Sequence, residues 1–371
     1  MKDESNQKER RPVICIAWGF AFCGLLVTAS PSPSLNSQEA PQAESAAPVE
    51  SSIPLTESKV VDRVTAALDR SVEYLANKQR PDGSWDNCNA GNALTLLAML
   101  GRGHVPGRGP YRDVLAKGQK YLLDTQNDQG VFISKRTAGS GPMYEHALST
   151  LACAELYGMD PSPILEEKLR KAVAVIISSQ SPAGGWRYHP HPNDQDLSVT
   201  VMQIVALRAA NNAEIPVPET TIEKAIQYVR SCAHVNGGFG YQSPAQTPQT
   251  SAAGVVSLQL LGEYADPAVD KGLTYLSAIP VEWSNNGVQY FYYFHYYAIQ
   301  AQYQAGGKWW NDWHPRIREL LLEHQHVDGS WEVPAGTSEQ SNVVGDNRIY
   351  WTAMASLILE IYMHYLPAYQ R

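Results

Sequence analysis

Long runs of basic residues are missing from this 371-residue chain beyond its N-terminus. The formal net charge is -8, and only 18% of the residues are charged. A protein that binds nucleic acid needs clustered Lys and Arg side chains to contact phosphates. The charge pattern therefore argues against nucleic acid as a partner. The 44% of hydrophobic residues is ample for one large globular core.

Cysteine is also scarce. Two of the five cysteines, Cys15 and Cys23, lie in the first thirty residues, which leaves Cys88, Cys153 and Cys232. Three cysteines can form one disulfide at most, and no Cys-x-x-Cys pair is present, so neither a disulfide framework nor that type of zinc motif is expected. Long alternating runs of Val, Ile and Thr are absent as well, and strands are therefore not predicted.

The N-terminal segment predicts export. Lys8, Arg10 and Arg11 precede an uncharged apolar run at 13–27, and small residues allow cleavage after Ala29. Such a run is short for a membrane span and typical of a signal peptide. We predict a signal peptide at 1–29, or an anchor retained through 13–27, and then a disordered linker rich in Ser, Pro, Ala and Glu at 30–55. Both alternatives predict a periplasmic or cell-envelope protein, close to the membrane if the anchor is retained.

A seven-residue phrase, Gln-x-x-x-Gly-x-aromatic, recurs along the rest of the chain. Ala233–Phe239 keeps the glycines and the aromatic residue, whereas Ser277–Trp283 keeps only the tryptophan. The clear copies are Gln79–Trp85, Gln126–Phe132, Gln180–Trp186 and Gln325–Trp331. Successive copies begin 47, 54, 53, 44 and 48 residues apart. A period of this length indicates stacked supersecondary units, each unable to bury its apolar face alone.

Two predicted helices of different character flank each phrase. Before the first phrase, Val60, Val64, Leu68, Val72 and Leu75 share one helical face; after it, residues 93–100 are almost wholly apolar. The other second helices are predicted at 146–157, 199–210, 252–261, 293–303 and 352–362. Helices that are apolar all round are buried, and those with one apolar face lie outside. Six such pairs, without a polar capping repeat, predict an all-α fold at 56–371, an (α/α)6 toroid with inner and outer helix layers.

The phrase, its period and the six helix pairs resemble the prenyltransferase and squalene oxidase repeat. This repeat is shared by squalene-hopene cyclases, oxidosqualene cyclases and the β subunits of protein prenyltransferases. The similarity covers about 57–371, and within the family the chain looks more like exported bacterial proteins of uncharacterised function. The resemblance implies the αα-toroid, also called the terpenoid cyclase fold, but no particular activity.

The catalytic motifs of that family are only partly present. Squalene-type cyclases carry Asp-x-Asp-Asp-Thr-Ala, in which a protonated aspartate donates to an alkene. Aligning Asp196-Leu197-Ser198 on Asp-Thr-Ala puts Gln195 at the donor position, and Asp194 could substitute only in a shifted register. Asp194 and Asp196 are therefore the catalytic candidates. Protein prenyltransferases need an Asp-x-Cys pair and a histidine for zinc, and Ser198 stands in place of that cysteine. The Cys-Gly-Glu-Gln segment of thioester-containing toroids is also absent.

The loop at 186–198 allows three interpretations. His189, His191, Asp194 and Asp196 could ligate a divalent metal, but the ligand set is incomplete, so no metal and no other cofactor is predicted. An aspartate there could instead face a substrate as an acid. The simplest alternative is that Asp196 or Ser198 caps the following helix while the histidines lie in solvent.

The strongest aromatic concentration is the run Tyr290–Tyr297. Tyr293, Tyr296 and Tyr297 are spaced to line a central cavity, where aromatic faces could stabilise cations or stack on sugars. The alternative is that these rings fill space in the core. Further residues expected at the cavity mouth, because they stand near the starts of second helices, are Glu145, His146, His295, Asp346 and Arg348.

Three functions are compatible with this sequence. The first is a protein with a terpenoid-cyclase-like cavity that binds a hydrophobic or isoprenoid-like small molecule, with cyclase catalysis as an option and prenyltransferase activity unlikely on the residues above. The second is a non-catalytic scaffold or binding module for an envelope protein or glycan. The third is a carbohydrate-active enzyme of the (α/α)6 type, which would need paired carboxylates across an open groove.

Overall fold

The structure is a computed structural model that describes residues 55–364 except 135–136, 138–140 and 343–346. The predicted signal peptide, the predicted linker up to residue 54 and Asp346 lie outside the described residues. Within these bounds the helices alternate between two layers. The outer helices are α1 (Leu55–Asn77), α3 (Arg112–Asp124), α5 (Pro163–Ser178), α7 (Glu219–Ser231), α9 (Pro267–Ser277) and α11 (Gly307–Glu323). The inner helices are α2 (Asn89–Gly101), α4 (Met143–Met159), α6 (Leu197–Asn212), α8 (Pro248–Leu260), α10 (Phe291–Ala305) and α13 (Asn347–His364). The short helix α12 (Glu339–Asn342) precedes α13.

The two layers differ in burial as the sequence predicts. The outer helix α7 buries Thr221, Ala225, Tyr228 and Val229, whose spacing of three or four residues places them on one face. In the inner helix α8, every residue at 250–260 is buried. An outer helix therefore packs by one stripe, and an inner helix packs on all sides.

The repeats close into a ring. Each inner helix contacts the next, and α13 contacts both α10 and α2. The phrase glutamine makes the corresponding link between repeats: Gln79 Nε2 donates to the Val114 carbonyl of the next outer helix at 2.8 Å. Gln325 in the last phrase donates to the Ala67 carbonyl of α1 in the same way, also at 2.8 Å. The last repeat thus joins the first, which confirms the predicted toroid.

The phrase glycine is required by a close approach of two backbones. Gly83 has φ +90°, and a Cβ there would lie 2.5 Å from the Lys117 carbonyl oxygen. Gly184 has φ +100°, and its Cβ would lie 2.0 Å from the carbonyl oxygen of Lys224. Any other residue would combine a strained φ with a clash, so the phrase keeps glycine where two repeats meet.

The two degenerate phrases are stabilised by other contacts. The phrase Ala233–Phe239 lacks the glutamine. Gln246 Nε2 takes over its hydrogen bond to the phrase glycine and donates to the Gly237 carbonyl at 3.0 Å. In Ser277–Trp283 the tryptophan ring stacks on His324, with ring centroids 4.1 Å apart. The ring of repeats therefore continues through both copies. In the described part of the chain, no helix has the length and apolarity needed to cross a bilayer.

Candidate functional site

A cavity of about 480 Å³ opens where four inner helices begin. We call it the mouth cavity. Residues from the first turns of α4, α6, α8 and α10 and from three loops line it, and none of these described residues is charged. The lining residues are Tyr144, Ser198, Tyr241, Thr247, Pro248, Gln249, Thr250, Gly287, Gln289, Tyr290, Tyr293 and Ser338.

The position of the cavity follows from the repeat. In most repeats one side chain of the inner helix accepts a hydrogen bond from the backbone N–H of the phrase aromatic residue. Thr200 accepts from Trp186 at 2.9 Å and Ser251 accepts from Phe239 at 2.8 Å. This phrase-holding residue must face the outer layer. A side chain two residues earlier in the helix points in a different direction, away from the outer layer. In successive repeats this position holds Tyr144, Ser198, Gln249 and Tyr293.

Packed side chains close the cavity at its inner end. Four residues after the lining positions, one helical turn deeper, stand Leu148, Met202, Ala253 and Tyr297, and each is 2% exposed or less. The rings of Tyr293 and Tyr297 lie 4.9 Å apart between centroids. The accessible space near the axis is therefore a pit at the mouth, with a floor of buried side chains.

Asp196 lies in the wall beside this pit and caps α6. Its Oδ1 accepts from the Val199 N–H at 2.8 Å, and its side chain is fully buried. Its Oδ2 lies 3.6 Å from Arg187 Nε, an ion-pair distance. Burial raises the pKa of Asp196 from its usual 3.8 to about 6, although the Val199 N–H, the Tyr241 hydroxyl and Arg187 all favour the ionised form. Of the interpretations left open by the sequence, capping is the one whose contacts are present.

Asp194 and Gln195 do not face the pit. The Asp194 side chain is 52% exposed and pairs with Arg187 at 3.0 Å. The Gln195 carbonyl accepts from Gln242 Nε2 at 2.8 Å in a solvent-exposed hydrogen bond, and Gln195 is not among the lining residues. Neither catalytic candidate thus contributes to the cavity lining, since Asp196 stands behind it and Asp194 pairs with Arg187 at the surface.

Aromatic side chains connect Asp196 to the pit. The Arg187 guanidinium lies over the ring of Tyr188 at 4.8 Å and that of Tyr241 at 5.8 Å. The Tyr188 and Tyr241 hydroxyls are hydrogen bonded to each other. Tyr241 lines the cavity, so the polar network around Asp196 reaches the ligand space through a phenol.

Glu145 and His146, expected at the cavity, are engaged elsewhere. Glu145 accepts from the Asn89 N–H at 3.2 Å and from Thr137 Oγ1 at 2.6 Å, so it caps α2 of the previous repeat. His146 is a phrase-holding residue: Nδ1 accepts from the Phe132 N–H and Nε2 donates to the Ala172 carbonyl, both at 3.1 Å. Burial lowers the pKa of His146 to about 4, so the ring is neutral.

The predicted aromatic face separates into different environments. Tyr293 lines the cavity, Tyr297 belongs to its floor, and Tyr296 is fully buried with its ring 5.4 Å from that of Tyr297. His295 instead packs towards the outer layer, with its ring 5.9 Å from that of Trp313 in α11. Burial lowers its pKa to about 3. His295 occupies the same register as His146, which is why it turns away from the axis.

The remaining candidates lie at the surface or outside the described residues. Arg348 pairs with Glu332 and is 43% exposed. Asp346 lies outside the described residues. His189 and His191 are exposed and stack on each other with centroids 6.3 Å apart. In the described ranges, no group of three or more His, Cys, Asp or Glu residues is arranged to hold a metal ion.

Two features of the site were not found from the sequence. Tyr144 and Tyr241 both line the cavity. The sequence signal that could have identified them is their position relative to the phrase of their repeat, compared with the equivalent positions in other repeats. Glu339, which is fully buried, caps α10 by accepting from the Tyr292 N–H at 2.9 Å and the Tyr293 N–H at 3.3 Å. Burial raises the pKa of Glu339 to about 7. The shared role of Glu145 and Glu339, each capping the preceding inner helix, is visible only in three dimensions.

Comparison with known proteins agrees with this architecture. A lanosterol synthase of Aspergillus fumigatus is 29% identical over 134 residues, which are 34% of this chain and 17% of the synthase. The chain therefore matches only a small part of that enzyme. Among solved structures, a variant of the type II terpene cyclase MstE from Scytonema, in complex with geranylgeranyl dihydroxybenzoate, has a TM-score of 0.57 at 14% identity, covering 82% of this chain and 99% of that one.

A carbohydrate-active protein shares the fold as well. An inactive variant of an alpha-1,6-mannanase from Salegentibacter, in complex with alpha-1,6-mannotriose, has a TM-score of 0.60 at 11% identity, with coverage of 80% and 99%. At these identities the structural likeness concerns the fold alone. The sequence profile of the prenyltransferase alpha-alpha toroid domain matches residues 92–289, more than half of the chain. The protein belongs to the prenyltransferase alpha-alpha toroid domain family.

Proposed function

We propose that this protein binds a hydrophobic, isoprenoid-like small molecule in the mouth cavity. The observation that carries this proposal is the pit itself, about 480 Å³ in volume, whose described lining contains two partly exposed tyrosines, two buried ones and no charged residue. Ligand sites are concave, largely apolar and aromatic, and commonly 300–1,000 Å³ in volume. Tyrosine rings offer flat apolar surface to a prenyl chain and hydroxyls to a polar end.

Relatives support this ligand class without fixing a reaction. The MstE structure holds a geranylgeranyl-bearing substrate, and the Aspergillus protein is by its name a sterol synthase. The first likeness concerns the fold and the second a small part of the enzyme. We therefore take from them the kind of ligand, and we argue the chemistry from this chain's own residues.

The proposed activity is binding without cyclisation. A type II cyclisation begins with proton transfer from an acid that touches the alkene, so the acid must reach the ligand space. Asp194 is half exposed and paired with Arg187 outside the cavity lining, and Asp196 is occupied as the cap of α6 behind the cavity wall. Gln195 stands at the aligned donor position and has no acidic proton. Because the floor is closed, a ligand can occupy only the pit and cannot extend along the whole length of the barrel.

We further propose that binding takes place outside the cytoplasm, in the periplasm or cell envelope. This part rests on the N-terminal sequence: the basic residues, the apolar run at 13–27 and the cleavage position after Ala29. A polyprenyl compound or another envelope lipid is the matching ligand, and it is insoluble enough to need a carrier.

The test is the affinity of the full-length protein for geranylgeraniol, measured by isothermal titration calorimetry in detergent. Ser198 lines the cavity, so Ser198→Phe should fill part of the pit and weaken binding at least tenfold. Thr220 is exposed on the outer helix α7, and Thr220→Phe is the matched control with unchanged affinity. Equal affinity of wild type and Ser198→Phe would place the ligand elsewhere. No measurable binding to the wild type would contradict the proposal.

A glycan is the second candidate ligand, because hydroxyl and amide groups share the lining with the tyrosines. They come from Ser198, Thr247, Thr250, Ser338, Gln249 and Gln289. Sugars are recognised by such groups together with aromatic faces, and the mannanase neighbour holds mannotriose. Mannotriose in the same titration, with the same two variants, distinguishes the candidates. Binding of neither compound would favour a scaffold role at the outer surface.

A further inference from the structure

Two asparagines in this sequence are followed directly by glycine, in the pairs Asn236–Gly237 and Asn286–Gly287. An asparagine in this position is open to deamidation, because glycine has no Cβ to keep its backbone nitrogen away from the asparagine amide. The reaction needs a glycine N–H that is free to lose its proton, room for a succinimide ring to close, and water to open that ring. The fold treats the two pairs differently in each of these respects.

The pair Asn236–Gly237 is restrained by the repeat. The Gly237 N–H donates to the His234 carbonyl at 3.0 Å, and Gly237 is buried. Its backbone lies so close to α9 that a Cβ there would be 2.4 Å from the Lys271 carbonyl oxygen. The nitrogen that would attack the amide is therefore hydrogen bonded, and the turn cannot move to close a ring without losing its contact with α9.

The pair Asn286–Gly287 has none of these restraints. It lies in the irregular segment between α9 and α10, and both of its residues are exposed. The Gly287 N–H and the Asn286 side-chain amide have no hydrogen-bond partner among the described residues. Apart from its chain neighbours, no atom lies within 4 Å of the position that a Gly287 Cβ would take. Nitrogen, amide and water can therefore meet at this pair.

We infer that Asn286 is a deamidation site, at which a side-chain amide is converted spontaneously into a carboxylate at the rim of the mouth cavity. The Gly287 backbone nitrogen loses its proton and bonds to Asn286 Cγ. The bond from Cγ to Nδ2 breaks, and the amide nitrogen leaves as ammonia with the proton from Gly287. Water then opens the succinimide at either carbonyl, which gives aspartate or isoaspartate. The reaction consumes water and needs no oxidant or reductant.

The modification changes the surroundings of the mouth cavity. Gly287, Gln289 and Tyr290 all line the cavity and lie within four residues of Asn286. The described lining carries no charge, so a carboxylate next to it disfavours an apolar ligand. Isoaspartate also adds a methylene group to the backbone just before these three residues. This effect on binding rests on the proposed function, whereas the deamidation itself does not.

The test is peptide mapping by mass spectrometry, applied to the full-length protein after incubation at about pH 8 and at about pH 5. Conversion of amide to carboxyl changes the mass of the peptide, and chromatography separates aspartate from isoaspartate. We expect conversion at Asn286 to be at least tenfold faster than at Asn236. It should also be faster at the higher pH, because the attacking nitrogen must lose its proton. In urea, where the fold no longer protects Asn236, the two rates should become similar.

The rates decide the inference without any ligand. Equal rates at the two asparagines of the folded protein, or faster conversion at Asn236, would overturn it. Asn286→Gln should prevent the accumulation of a more acidic species, since glutamine closes its larger ring much more slowly, and Asn236→Gln is the matched control that should not. A more acidic species that accumulates equally in Asn286→Gln would place the modification elsewhere.

The effect on the cavity has its own readout. Incubated wild type should bind geranylgeraniol more weakly than fresh wild type, whereas incubated Asn286→Gln should keep the affinity of its fresh form. Equal affinity of fresh and converted wild type would overturn the effect on the cavity and leave the deamidation site standing. Failure of the fresh wild type to bind would contradict the proposed function, and the rates of conversion would still test the deamidation.

Discussion

The mouth of the toroid and the interior one turn below it are built from the same helices, yet they differ in chemistry. At the mouth the equivalent positions hold Tyr144, Ser198, Gln249 and Tyr293, around an open volume of about 480 Å³. Four residues further along the same helices stand Leu148, Met202, Ala253 and Tyr297, all closely packed. The repeat fixes where these positions lie, and their residue types decide whether the space is open or filled.

This difference is the reason why we place the proposed binding site at one end of the barrel. Protein interiors are packed as densely as organic crystals, so the side chains of the four interior positions are strongly constrained in size and shape. The four positions at the mouth carry hydroxyls, an amide and aromatic side chains that a stable fold alone does not require.

Removing volume from the interior should cost the most stability. Leu148→Ala deletes most of a side chain that is 1% exposed, and such changes cost about 2–5 kcal/mol because the cavity only partly collapses. Ser198→Ala at the mouth should cost less than about 1 kcal/mol, since Ser198 borders open space. Urea denaturation of both variants measures the difference. Similar losses would remove the distinction between a packed interior and an open mouth.

The buried carboxyl in the mouth wall should make stability depend on pH. The folded pKa of Asp196, about 6, lies above its usual 3.8, so the folded protein holds this proton more tightly. The stability that the protonated carboxyl contributes is fully present below about pH 4 and is lost as the pH rises through 6. At about 1.4 kcal/mol per pKa unit, the loss is on the order of 3 kcal/mol.

Asp196→Asn isolates this effect, because asparagine caps a helix as well as aspartate does but does not ionise. The variant and the wild type should have similar unfolding free energies near pH 4, and the variant should be more stable at pH 7. Urea denaturation at the two pH values gives the comparison. A difference that is independent of pH would show that the carboxyl does not titrate as described.

A smaller effect concerns two histidines in the same register just behind the mouth. His146 satisfies the Phe132 N–H and the Ala172 carbonyl, whereas His295 Nδ1 has no partner within the described residues. Replacing His146 by Phe leaves the buried Phe132 N–H without an acceptor, while the Ala172 carbonyl keeps its helical hydrogen bond within α5, and should cost about 2 kcal/mol more than His295→Phe. Thermal unfolding of the two variants provides the measurement. The reverse order would contradict the role of His146 as a phrase-holding residue.

Much of the fold follows from the sequence because the phrase has a physical cause at each fixed position. The glutamine links two repeats, as Gln79 does to Val114, and the glycine avoids a clash, as Gly83 does with Lys117. The apolar character of residues 93–100 likewise predicts an inner helix. These features are local or repeated, and they can be recognised without coordinates.

The site was less predictable because it depends on direction around a helix and on contacts between repeats. His146 and Tyr144 are two residues apart, and only the hydrogen bond to Phe132 shows that the histidine faces outwards. Glu339 lies 47 residues from the Tyr292 N–H that it caps. Tyr241 reaches the cavity from a loop. The lining register two residues before the phrase-holding residue becomes recognisable only after the hydrogen bonds of that residue are known.

The central claim is that the ligand occupies the pit at the mouth above a closed floor. The most direct measurement is a crystal structure of the protein with geranylgeraniol bound. We expect density for the tail against Tyr290 and Tyr293, with Leu148, Met202 and Tyr297 in their unliganded positions below it. Density that runs along the barrel axis past these three side chains, or that lies outside the toroid mouth, would contradict the account.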